Sequence, residues 1–120
     1  KYLEVRSIDE CEWDCHCAGP AFYTGLIYGN LDESLDVIKK WDQSEVLNAY
    51  YESPKRGLNT IINNKTILEW GKIFLDISKD GLKKRKYINS NNQDETVFLK
   101  NVENILNEKK TRAEKVLEKL

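Results

Sequence analysis

Apolar positions recur along most of this chain at intervals of three and four, the spacing of one helix face, and alternate only at its beginning. There Leu3 and Val5 face one way while Glu4 and Arg6 project together from the other, which predicts a strand over residues 1–9. Residues 10–19 are crowded with Cys, Trp and acidic side chains, show no period, and read as a loop. Pro20 sits where a first helical turn tolerates it, and Phe22, Tyr23, Leu26 and Ile27 predict a short apolar helix to Tyr28, ended by Gly29-Asn30.

The remainder is predicted to be helical. Leu35, Val37, Ile38 and Trp41 mark a second helix, acidic at its start (Asp32, Glu33) and basic at its end (Lys39, Lys40), as the helix dipole favours. Ser44 can cap a third helix carrying Val46, Leu47, Tyr50 and Tyr51, which should stop before Ser53-Pro54 because proline disfavours helix in the residue ahead of it. Residues 54–65 read as a linker-like loop. Thr66 and Glu69 have capping-box spacing, and Ile67, Trp70, Ile73, Phe74, Ile77 and Leu82 continue as a helical stripe to the basic run Lys83-Lys84-Arg85-Lys86. Gly71 and Gly81 inside that helix each cost about 1 kcal/mol against alanine, which predicts that another backbone packs closely there. After a polar loop at 89–94, Gln93 or Asp94 opens a helix with Val97, Phe98, Val102, Ile105 and Leu106. A second capping box, Thr111 to Glu114, starts a short helix with Val116, Leu117 and Leu120, and no internal repeat links the two boxes.

A chain of 120 residues, 40% hydrophobic, suffices for one globular domain with a modest core. A formal charge of −1 provides no global field to recruit nucleic acid or anionic lipid, so neither is an expected partner. The longest weakly polar run, residues 18–28, is broken by Gly19, Pro20 and Gly25 and falls short of the roughly 20 apolar residues of a membrane-spanning helix. No secretion leader opens the chain, yet a strand-like pattern starts at the first residue and methionine is absent throughout, as in a piece of a longer protein. The three cysteines all fall between Cys11 and Cys17; so odd and tight a set predicts no disulfide scaffold and suits a reducing, cytoplasmic setting.

Three clusters carry candidate chemistry. Glu4 and Arg6 on one strand face are either a solvated ion pair or a carboxylate that holds a cation beside a guanidinium that holds phosphate oxygens. Cys11, Cys15, His16 and Cys17 are residue types that zinc prefers, but a structural site needs a second ligand pair and the chain has no other cysteine or histidine. Glu12 and Asp14 beside them would raise thiol pKa values, against a nucleophilic role. The run at 83–86 suits a helix C-terminus facing water better than a nucleic-acid contact, since nothing aromatic interleaves it.

Longer stretches resemble a known family. Leu3-Glu4-Val5-Arg6-Ser7-Ile8-Asp9, then Trp13, Cys17-Ala18, Pro20-Ala21-Phe22-Tyr23 and Gly25-Leu26-Ile27-Tyr28 are similar to a continuous segment of glutamate–cysteine ligases. Lys79-Asp80-Gly81-Leu82 with Arg85, and Thr111-Arg112-Ala113-Glu114-Lys115-Val116-Leu117-Glu118, resemble later segments of the same family. Of the three cysteines only Cys17 has a family match, while Glu12, Asp14 and Cys15 depart from the family pattern and Lys86 stands where it has glycine.

The resemblance implies an α+β chain: the mostly helical C-terminal part of one catalytic domain spanning 1–120, whose N-terminal strand joins an antiparallel sheet like that of glutamine synthetase. It implies ATP-dependent joining of the glutamate γ-carboxylate to the cysteine amine through a γ-glutamyl phosphate, the first step of glutathione biosynthesis. Glu4 would match a Mg2+ ligand and Arg6 the catalytic arginine on the ATP phosphate. Partners would be glutamate, cysteine, ATP and the rest of the parent chain upstream. Phosphoryl transfer is governed by positioning and charge neutralisation, so a hard oxygen ligand and a bidentate cation are the parts it needs. The alternatives are a non-catalytic helical binding module and a related carboxylate–amine ligase with another acceptor.

Overall fold

A computed structural model of the chain describes residues 2, 4–6, 8 and 11–120. It is mostly helical with one small antiparallel sheet, an α+β arrangement. A 3-10 turn at Trp13–Cys15 leads into α1 (Ala18–Thr24), which continues as a π-helical segment at Gly25–Gly29 closed by the Asn30 N–H on the Gly25 carbonyl at 3.0 Å. Then follow α2 (Leu31–Ile38), α3 (Gln43–Arg56), a hairpin of β1 (Ile61–Ile62) and β2 (Lys65–Thr66), and α4 (Ile67–Arg85). A 3-10 turn at Glu95–Leu99, α5 (Lys100–Glu108) and α6 (Arg112–Leu117) complete the chain.

The fold is built around the crossing of the π segment with α4. Side-chain bulk is absent where they meet: a Cβ on Gly25 would collide with the Ser78 backbone, and one on Gly29 or Gly81 with the opposite glycine's helix. The Ser78 hydroxyl, fully buried, donates to the Phe22 carbonyl at 2.8 Å and satisfies an acceptor that would otherwise be stranded there. Around this junction Ala21, Leu75, Leu82, Leu99 and Leu106 form the buried core, with Phe22, Leu68 and Val102 packed on it. The predicted close approach therefore holds at Gly81; at Gly71 the neighbour is a side chain, Leu106.

Both predicted capping boxes are present, with Thr66 and Glu69 opening α4 and Thr111 and Glu114 opening α6. The cap of α3 is Asp42 rather than Ser44: its carboxylate accepts from the N–H groups of Ser44 and Glu45. That helix also runs on through Pro54 to Arg56, beyond the expected stop. Proline cannot supply a hydrogen bond to the Tyr50 carbonyl, and the Ser53 hydroxyl does so instead, at 3.2 Å. The expected loop at 54–65 holds the hairpin, whose Asn63 and Asn64 both adopt positive φ, 46° and 63°, as a two-residue primed turn requires.

Asn63 ties this hairpin to the bend between α2 and α3, donating to the Lys40 carbonyl at 2.9 Å and accepting from the Asp42 N–H at 3.0 Å. Trp70 donates to the Ile62 carbonyl at 2.8 Å, and Trp41 packs edge-on against Trp70 and Phe74. For the expected N-terminal strand, residues 2, 4–6 and 8 pair with no strand of this chain; Leu3 and the other positions of that stretch lie outside the described residues.

Candidate functional site

Of the alternating positions at the beginning of the chain, Glu4, Val5 and Arg6 are described, and Leu3 lies outside the described residues. Val5 is half-buried and, with Ile8, Pro20, Tyr23, Ile27 and Tyr28, lines a cavity of about 250 Å³ beside α1 and the π segment. Glu4 and Arg6 face solvent, their side chains 50% and 83% exposed. They meet as a fork: Arg6 Nε lies 3.0 Å from one Glu4 oxygen and the terminal nitrogen donates to the other at 3.2 Å. At this exposure the pair contributes little to stability, about 0 to 1 kcal/mol. In this fork both carboxylate oxygens and two guanidinium donors are engaged with each other on a solvent-exposed face.

Among the described residues no cluster of three or more His, Cys, Asp or Glu side chains could enclose a metal. A lone exposed carboxylate fits magnesium, which keeps several waters and takes only one or two protein carboxylates beside substrate phosphates. It does not fit an ion that demands a full protein cage.

The segment 79–85 serves the fold. Lys79 pairs with Glu103 on α5, Leu82 is fully buried, Gly81 admits the π segment, and Arg85 pairs with Glu95 at 2.8 Å while stacking on Tyr87. The Asp80 carboxylate accepts from Lys84 at 2.7 Å and from the Asn30 amide at 2.8 Å, and these contacts, Lys84 first, hold its pKa below the ordinary aspartate value. Asn30 is buried and also donates to the Ile77 carbonyl at 3.0 Å, so one amide joins the π segment to two turns of α4. By its place in the sequence Asn30 marks only a helix stop. Within the basic run, Arg85 is half-buried and ion-paired rather than facing water; Lys83, Lys84 and Lys86 are exposed.

The cysteine cluster corrects another expectation, because Cys11 and Cys15 form a disulfide, Cα atoms 6.1 Å apart. The 3-10 turn at Trp13–Cys15 folds the chain back so that Cys15 reaches Cys11, a contact that counting cysteines does not disclose. With this bridge present, cysteine usage no longer argues for a reducing compartment. Cys17 is free and exposed, and His16 is exposed with its ring beside that of Trp13.

A family model described as glutamate-cysteine ligase family 2 matches residues 1–119. Three chloroplastic glutamate–cysteine ligases are similar over 98% of this chain: that of Solanum lycopersicum at 32% identity, that of Arabidopsis thaliana at 33%, and form A of Oryza sativa subsp. indica at 31%. The chain spans only 22 to 23% of the length of these relatives. No helix among the described residues is long and apolar enough to cross a membrane. With a family match over all but one residue, the chain belongs to glutamate-cysteine ligase family 2.

Proposed function

We propose that the protein carrying this chain is an ATP-dependent ligase that joins the γ-carboxylate of glutamate to the amine of cysteine. In the first step a glutamate carboxylate oxygen attacks the γ-phosphorus of ATP, giving γ-glutamyl phosphate and ADP. The cysteine amine then attacks the acyl carbon, phosphate leaves, and the amine loses a proton. The observation that carries this reading is the family match through the Glu4–Arg6 stretch, combined with the exposed fork that those two side chains form.

Glu4 is assigned to magnesium and Arg6 to the phosphoryl oxygens. Magnesium, when bound, would neutralise phosphate charge, and Arg6 would supply a planar bidentate donor pair for phosphoryl oxygens. Since each partner occupies the other in the fork, substrate binding has to part them, and the weak exposed pair makes that inexpensive. The remaining metal ligands and substrate contacts are assigned to the rest of the parent protein, so the 120 residues alone are not expected to form γ-glutamylcysteine.

The test is a pair of substitutions in the intact protein, assayed for ATP- and glutamate-dependent formation of γ-glutamylcysteine. Glu4→Gln keeps an oxygen but loses the charge, and part of its activity should return at high magnesium. Arg6→Lys keeps the charge but loses the planar fork; turnover should fall and magnesium should not restore it. Near-normal turnover and magnesium dependence in both folded variants would replace this reading with that of a helical binding module.

A further inference from the structure

Beyond the Glu4–Arg6 fork, a second concave feature lies between the disulfide-closed loop and the C-terminal helix pair. It has two adjoining parts that share Asn101, Ile105 and Arg112. One is an apolar chamber of about 310 Å³, lined by the Cys11–Cys15 bridge, Ala18, Val102, Ile105 and Ala113. The other is a polar mouth of about 230 Å³. In it Lys115 is paired with Glu108, and the Asn101 amide donates to the Asp14 carbonyl at 2.9 Å. Arg112 is held less firmly: its ion-pair partner is Glu12, 81% exposed, at 3.5 Å.

We propose that this cleft binds an amphipathic monocarboxylate, its alkyl chain in the chamber and its carboxylate on Arg112 in place of Glu12. Mostly apolar concavities of this size with one or two placed polar groups are the usual form of small-molecule sites. The replacement exchanges a long contact with a solvated side chain for a two-point carboxylate–guanidinium contact at the edge of an apolar space, where charge-assisted bonds are stronger than in open water. Glutamate, with two carboxylates and a charged amine, does not suit an apolar chamber, so this site is separate from the ligase reading and does not depend on it.

The test uses the intact protein and decanoate labelled with 13C at the carboxyl, followed by NMR titration, with decanol as the uncharged counterpart. Saturable one-to-one binding of decanoate is expected, with decanol weaker. Arg112→Gln should weaken decanoate about tenfold, the weight of one charge-assisted contact, and leave decanol unchanged. Ala113→Trp, at an exposed position of α6, should fill the chamber without disturbing the core and remove binding of both. Absence of saturable binding, wild-type affinity in both variants, or displacement of decanoate by glutamate would each overturn the assignment. Unchanged melting curves for the two variants keep the comparison free of unfolding.

Discussion

Gly81 on α4 lies against the Gly25 carbonyl with no room for a side-chain atom between the two backbones. A methyl group there must push apart two helices whose contact includes the buried Ser78 and Asn30 bonds. Gly81→Ala should therefore destabilise the protein by about 3 kcal/mol in urea unfolding, although alanine is the better helix former. Gly71→Ala, whose new methyl meets the tip of the Leu106 side chain, should change stability by no more than about 1 kcal/mol. Equal effects at the two positions would refute the close backbone crossing.

The disulfide should be visible chemically. Alkylation of the unfolded but unreduced protein should modify Cys17 and spare Cys11 and Cys15, and prior reduction should add both, read by peptide mass. Closing so short a loop is worth about 2 kcal/mol on chain-entropy grounds, so Cys15→Ser should lower stability by about that amount. Modification of all three cysteines before reduction would show that no bridge forms.

The two capping boxes give a paired prediction. Thr66→Ala and Thr111→Ala each remove the side-chain acceptor for a first-turn N–H and should each cost about 1 kcal/mol of local helix stability. Hydrogen exchange should report the losses separately, in the first turns of α4 and α6. If exchange quickens equally everywhere, the boxes do not act locally.

Acid should weaken the fold through its hydrogen-bonded carboxylates. Backbone and side-chain bonds from Thr66 and Thr111 lower the pKa values of Glu69 and Glu114, bonds from Ser44 and Thr96 lower those of Asp42 and Asp94, and Lys84 with Asn30 lowers that of Asp80. A carboxyl group that is more acidic when folded contributes its full stability above its unfolded value, near pH 4, and loses it as pH falls through the folded value. The urea midpoint should thus fall progressively below about pH 4, and Asp80→Asn should flatten that decline. A midpoint independent of acid over this range would contradict the bonded geometry.

What the sequence disclosed and what it hid divide along physical lines. Capping boxes and helical stripes depend on residues three and four apart, so Thr66, Thr111 and the apolar face of α4 were legible. Ser53 rescuing the carbonyl that Pro54 leaves unbonded is equally local, but it opposes the propensity rule by which proline ends a helix. The Asn63-Asn64 pair between Ile62 and Lys65 carried a hairpin signal, obscured by how short its strands are. Asn30 reaches Asp80 and Ile77 across about fifty residues, and no spacing rule announces that. At the candidate site, the shared outward face of Glu4 and Arg6 followed from alternation, whereas their direct pairing needed coordinates.

The π segment also sets a phase. Its closure from Asn30 to Gly25 spans five residues instead of four, so it accommodates one more residue than an α turn before α2 begins. Deleting a single residue from 25–29 would let the turn tighten and would shift the backbone that meets Ser78 and Gly81 at the crossing with α4. Asn30 would swing away from Asp80, and Gly29 from its glycine neighbour. The length of this stretch is therefore as constrained as its composition: the protein should tolerate many exchanges at the outward-facing Tyr28 but no change in the number of residues between Gly25 and Asn30.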